Sequence, residues 1–229
     1  AIDTEFKRVN TYYPELCLVQ IATTHSVECI DVLSIDNLEP LFEKLYNKKT
    51  LWIVHSARQD IEALFKLSKR IPNALFDTQI AASLLNYPVQ ISYQALTEEL
   101  QGVRLKKDHT RFDWTIRPLP KSVLDYALDD VRYLIPNYRK LLNELKLNNK
   151  IQWQEEDSGY LLDPILYDLS TEQIWYKTKG ISRLSKKHQE EAMKLVAWRE
   201  KNAKEKNIPR KWLMADDKLI DYACGKNKL

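Results

Sequence analysis

Two acids spaced one residue apart in an apparent strand, Asp3 and Glu5 within Asp3-Thr4-Glu5-Phe6, constrain this chain more than any other feature. In an extended strand alternate side chains share a face, so Asp3 and Glu5 point together while Ile2, Thr4 and Phe6 take the other side. Neighbouring carboxylates repel each other and resist burial without a counter-ion. Either a cation sits beside them, or the strand is a sheet edge whose acids face water. Carboxylates further along the chain decide between these.

The rest of the chain predicts a sheet able to gather such acids. Leu16 to Ala22 and Val27 to Val32 read as strands joined by the turn-like Thr23-Thr24-His25-Ser26, a hairpin. Leu38, Leu41, Phe42 and Leu45 recur at helical spacing, with Asp36 or Asn37 as the cap. Leu51-Trp52-Ile53-Val54 is almost wholly apolar, as strands covered on both faces in parallel or mixed sheets are. A helix from about Ala57 to Leu67, a short strand Ala74 to Phe76, and helices over Thr78 to Asn86 and Ser92 to Leu100 follow. Strands first and then strand-helix alternation predict an α/β fold with helices on the faces of a sheet. Residues 101 to 119 have no steady period and read as a long loop. From Pro120 a single helix is expected through Val123, Ala127, Val131, Tyr138 and Leu145, kinked at Pro136.

Charge divides the chain. Residues 177 to 229 hold 15 Lys and Arg against 7 Asp and Glu, residues 151 to 176 hold none against 6, and the first 150 hold 20 against 19. This pattern predicts an N-terminal domain over 1–150, an acidic connector over 151–179 and a basic helical module over 180–229, with helices from about Lys186 to Lys206 and Ala215 to Cys224. Nucleic acid is the polyanion such a module suits. No apolar run approaches the ~20 residues of a membrane span, so a globular protein with no membrane partner is expected. Cys17, Cys29 and Cys224 are too few and too scattered for a zinc site or a disulfide framework, which points to a reducing, cytoplasmic setting. An opening Ala already inside a strand predicts residues before it.

Acids recur at strand ends and the helix starts that follow, where open sheets place active sites. Asp60 lies one turn into the helix after Leu51 to Val54; its plain alternative is to stabilise that helix dipole. Asp130 stands four residues after Tyr126 and shares its helix face, whereas Asp125 and Asp129 form their own pair towards solvent. Four carboxylates supply hard oxygen ligands, suited to Mg²⁺ or Mn²⁺ rather than zinc. Two such ions about 3.5 to 4 Å apart serve phosphodiester hydrolysis, and a phenol beside the attacking water can share its proton.

Asp3-Thr4-Glu5-Phe6, His55 with Asp60 five residues on, and Tyr126-Ala127-Leu128-Asp129-Asp130 resemble the three exonuclease motifs of the DEDD superfamily in its tyrosine-bearing branch. Arg8, Thr11-Tyr12-Tyr13-Pro14, Leu18-Val19-Gln20, Asp77-Thr78-Gln79 and Asp113 to Leu119 extend the resemblance to the ribonuclease D family. The branch is marked by Tyr126 four residues before Asp130; the sister branch has a histidine five residues before its last acid, where this sequence has Asp125. The resemblance implies a ribonuclease H-like mixed sheet flanked by helices, followed by a smaller all-helical module. It implies Asp3, Glu5, Asp60 and Asp130 as ligands of two divalent cations and Tyr126 at the nucleophilic water. It further implies a 3′-5′ exoribonuclease that releases nucleoside 5′-monophosphates from RNA with a free 3′ end, tRNA precursors among them. Rivals are a DNA-directed 3′-5′ exonuclease and a catalytically silent RNA-binding protein on a nuclease fold.

Glu191 to Arg199 and Ala203 to Asn207 resemble the first helix of the helicase-and-ribonuclease-D C-terminal (HRDC) domain, of which residues 180–229 would be a part. Substrate contacts are expected from Phe6, His55, Arg111 and Trp114, each with a structural alternative: Phe6 as core, His55 as a hydrogen-bonded group at a strand end, Trp114 as a pin for its loop. Lys106, Lys107 and Arg111 are phosphate contacts or ordinary solvated charge.

Overall fold

In a computed structural model, which describes residues 1–106 and 112–226, five strands and eleven helices form two compact units. The first comprises Ala1–Lys7 and Glu15–Pro164. Its strands β1 (Ile2–Lys7), β2 (Glu15–Ala22) and β3 (Val27–Asp31) form an antiparallel sheet in that order, with Asp3 opposite Gln20 and Glu5 opposite Leu18. A register shift between Glu5 and Phe6 re-aims the end of β1. Helix α1 (Glu39–Leu45) starts a residue or two later than the spacing suggests, with the Asn37 side chain accepting from the Glu39 N–H. Strand β4 (Leu51–Val54) packs beside β1 and pairs in parallel, after the crossover helix α2 (Arg58–Ser68), with β5 (Ala74–Asp77). Helices α3 (Thr78–Leu84) and α4 (Tyr93–Gln101) follow, capped by Asp77 and Ser92.

The single kinked helix expected from Pro120 is in fact two, α5 (Lys121–Arg132) and α6 (Leu134–Leu147), and the break lies at Tyr133 rather than Pro136. The break falls one turn before Pro136, whose ring excludes a helical carbonyl at Arg132, and the Tyr93 hydroxyl bridges it. It donates to the Asp129 carbonyl at 3.0 Å and accepts from the Tyr133 N–H at 3.1 Å, taking the place of the helical bond between those two groups. Pro136 falls in the first turn of α6, where its missing N–H is no loss. Helix α5 covers the face of β2 and β3 that carries Leu18, while α2 packs on β1 and β2 from the other side.

The stretch expected as an acidic connector is largely helical. Its first part is α7 (Ile151–Tyr160), packed on β5 and α3 and so part of the first unit. Its second part is α8 (Thr171–Lys177), whose Ile174 and Trp175 lie in the core of the second unit. That unit continues through α9 (Lys186–Glu205), α10 (Arg210–Leu213) and α11 (Asp216–Ala223). Ala192, Leu195, Val196 and Ala203 give α9 its buried stripe, and among them Arg199, 1% exposed, binds the Met214 carbonyl at 2.9 Å and Asp216 at 2.8 Å. Residues Arg8–Pro14, between β1 and β2 in sequence, belong to this second unit. There Tyr12 donates its hydroxyl to buried Glu200 and the Tyr13 N–H donates to Asn207 at 3.2 Å. Among the described residues no helix is long and apolar enough to cross a membrane.

Asp77 ties the sheet to the helices around it. Its buried carboxylate accepts from the N–H groups of Ser56 (3.0 Å) and Ala57 (2.8 Å) at the start of α2, and from Gln79 (2.8 Å) at the start of α3. Charged acceptors of buried amides are strong contributors, and their removal strands the donors. Asp77→Ala is expected to lower stability by about 3 kcal/mol, measured by urea unfolding; a loss below about 1 kcal/mol would show that water replaces the carboxylate.

Candidate active site

Strand β1 presents Asp3 and Glu5 on one face and Thr4 on the other, as the alternation requires. Helix α5 crosses the acidic face, and the four-residue spacing brings Tyr126 and Asp130 onto the side it turns to the sheet. One carboxylate oxygen from each of Asp3, Glu5 and Asp130 lies within 4.8 Å of the other two. The Tyr126 hydroxyl hydrogen-bonds Asp130. Asp60, from the first turn of α2, accepts from the Thr4 hydroxyl at 2.6 Å and is 6% exposed. It stands outside the tightest group, yet near enough for its charge to act on both Asp3 and Glu5.

Among the described residues the electrostatics express crowding without a counter-charge. Burial first, and then the charges of Asp60, Asp130 and Glu5, push the Asp3 carboxyl well above the usual carboxylate range. Glu5 is raised from 4.5 to about 8, by burial and then by Asp130 and Asp60. Burial raises Asp60 from 3.8 to about 7 against the pull of the Thr4 hydroxyl. Asp130 rises to about 7, chiefly through burial and Asp129, with the Tyr126 hydroxyl opposing. The Tyr126 phenol is raised by burial and by Asp130, Glu5 and Asp3, so it keeps its proton. A group of partly buried carboxylate oxygens with no lysine or arginine among them in the described residues has the donor chemistry of a divalent hard-cation site.

The expected substrate contacts fare unevenly. Both ring nitrogens of His55 are 2.9 Å from internal partners, the Thr78 hydroxyl and the Ile91 carbonyl, and burial lowers its pKa, which fits the structural alternative. Trp114 is 5% exposed and packs against Phe112 and Tyr126 in a cluster with Leu18 and Ala127, so its face is not open to a base. Its loop is fastened by Arg117, whose guanidinium forks onto Asp31 at 2.6 and 2.7 Å. Phe6 is partly exposed just past Glu5. Arg111 and Lys107 lie outside the described residues, and Lys106 is exposed. Asp125 is exposed and Asp129 pairs with Arg132 at 2.8 Å, consistent with their solvent side.

The chain belongs to the 3′-5′ exonuclease family: the model of that family matches residues 1–146. Within it, the chain is 40% identical to ribonuclease D of Bartonella henselae over 99% of its own length and 56% of that protein's. To ribonuclease D of Nitrobacter hamburgensis it is also 40% identical, over 97% of this chain and 58% of the relative. The structure of Escherichia coli ribonuclease D, described as an exoribonuclease involved in structured RNA processing, superposes with a TM-score of 0.92 at 28% identity, covering 97% of this chain and 59% of that one. Brucella melitensis NrnC with bound Mg²⁺ superposes at 0.64 and 25% identity, over 73% of this chain and 82% of that one. The expected ribonuclease H-like α/β fold is thereby borne out. The chain spans a little over half the length of the curated relatives it matches.

The raised carboxyls set a pH dependence. Their folded pKa values exceed the unfolded ones, so the folded state holds extra protons and its stability falls as pH rises through about 7 to 8. In EDTA, the melting temperature is expected to drop by roughly 3 to 8 °C from pH 6.5 to 8.5, and Mg²⁺ or Mn²⁺ to restore it at pH 8.5. A melting temperature that rises with pH in EDTA would mean that the acids are not repelling one another.

Proposed function

We propose that this chain carries the catalytic site of a 3′-5′ exoribonuclease of ribonuclease D type, acting on RNA with a free 3′ end, tRNA precursors and other structured RNAs included. The observation that carries this is the convergence of Asp3, Glu5 and Asp130, with Asp60 adjacent and the Tyr126 hydroxyl on Asp130. Asp3, Glu5, Asp60 and Asp130 hold two divalent cations, Mg²⁺ or Mn²⁺. When bound, such ions activate water and stabilise the leaving oxygen.

Tyr126 supplies the remaining part. As a neutral phenol anchored on Asp130, it orients the attacking water and shares its proton. The water oxygen bonds to the terminal phosphorus and the P–O3′ bond breaks. The released nucleotide keeps its 5′-phosphate, and the shortened strand takes up a proton as its new 3′-hydroxyl. Phe6, partly exposed beside Glu5, is placed to bear on the terminal nucleotide.

The second unit, in which residues 180–229 are the HRDC-like part, holds the body of the RNA. Lys177, Lys179 and Lys211, exposed and with no ion pair among the described residues, rim a cavity of about 640 Å³ together with Trp212, 63% exposed. Cations along a groove with an aromatic platform suit a single strand. Arg199 fixes the arrangement by bonding the Met214 carbonyl and Asp216 beside the α10 cations. Lys177→Glu with Lys211→Glu is expected to raise KM for a long RNA roughly tenfold or more at low salt while leaving dinucleotide turnover unchanged; equal KM values would remove this surface from binding.

A 3′-extended RNA labelled at its 5′ end, incubated with Mg²⁺ or Mn²⁺, tests the main reading. Stepwise shortening supports it, equal digestion of DNA points to a DNA-directed enzyme, and binding without shortening to a silent one. Tyr126→Phe removes only the hydroxyl and is expected to slow hydrolysis by roughly 10²- to 10⁴-fold; wild-type rates would take Tyr126 out of the mechanism.

A further inference from the structure

Gln20 is the anomaly in the sheet. It sits in the middle of β2, fully buried, and neither its amide nitrogen nor its amide oxygen has a hydrogen-bond partner. On its own strand it stands between Leu18 and Ala22, which share its face and lie in apolar clusters beneath helices. An apolar residue would fill that position at no cost, whereas an unsatisfied buried amide is destabilising and rare.

The register says what the amide is beside. Gln20 is paired with Asp3 on β1 and with Cys29 on β3, and directly opposed residues of antiparallel strands project to one face. Gln20 is therefore the cross-strand neighbour of Asp3 on the acidic face. Cys29, on its other side, carries a thiol, a weak acceptor at best. A primary amide donates two hydrogens, and the charged acceptor directly opposite it on β1 is the Asp3 carboxylate, with Glu5 at the diagonal position.

We infer that Gln20 is a positioning residue for Asp3, donating its amide N–H to the ionised carboxylate and fixing its orientation towards a bound cation. This rests on the reading of Asp3 as a cation ligand. Carboxylate ligands are commonly oriented by a hydrogen-bond donor behind them, and loss of such a donor costs typically 10- to 100-fold in metal affinity.

The test separates orientation from packing. Gln20→Met keeps length and volume without the donor, and Gln20→Leu is the second variant should one fail to fold. The full chain is titrated with Mn²⁺ by calorimetry, and its melting temperature is taken in EDTA. Expected is a Mn²⁺ dissociation constant raised 10- to 100-fold with an EDTA melting temperature equal to or above that of the wild type. Unchanged Mn²⁺ affinity overturns the inference, and so does a fall in EDTA melting temperature, because the amide would then be holding the fold. A wild-type protein that binds no Mn²⁺ would instead overturn the assignment of the acids as cation ligands.

Discussion

Like charges gathered in a partly dry pocket are the constraint on which this structure turns. Four carboxylates cannot be brought together by attraction among themselves; each approach raises the free energy unless protons or cations intervene. Everything that determines their positions must come from elsewhere in the fold. Asp3 and Glu5 are fixed because β1 is paired along its length with β2. Asp60 is held by the Thr4 hydroxyl on the opposite face of the same strand, so one strand supplies two acids and the anchor of a third. Asp130 rides on a helix whose Val123, Ala127 and Val131 are buried beneath it.

The devices that aim these elements are buried polar groups with several partners each. Asp77 joins the ends of β4 and β5 to the starts of two helices, and one of those helices carries Asp60. The Tyr93 hydroxyl bridges the end of α5 two residues after Asp130, so that the helix delivering the fourth acid stops beside the site and the chain turns into α6. Such fully satisfied groups act as struts in a low-dielectric interior. They offset locally the strain of assembling charge.

What the sequence reveals depends on how local the cause is. Period two in β1 and the i,i+4 relation of Tyr126 and Asp130 are properties of neighbouring residues, and they identify the acids that the structure brings together. The hairpin, the strands at Leu51 and Ala74 and the helices from Thr78 and Ser92 are read for the same reason. Pro136 signals a break in the long helix, but its place at Tyr133 escapes, because the hydroxyl that bridges it there, that of Tyr93, lies 40 residues earlier in sequence. The acidic tract over 151–176 reads as a connector because charge marks exposed surface, yet Ile174 and Trp175 are enough to bury one side of α8. Gln20 escapes as well, since its significance comes from the residue opposite and not from those beside it in sequence.

The excursion of Arg8–Pro14 into the second unit gives the chain a particular order of completion. Tyr12 leaves the ribosome long before Glu200 and Asn207, the residues that receive it and its neighbour. During synthesis the loop between the first two strands must stay uncommitted while the sheet around it closes. A protein threaded in this manner cannot be divided by a single cut between its units, because any such cut leaves the helical half without a piece of itself.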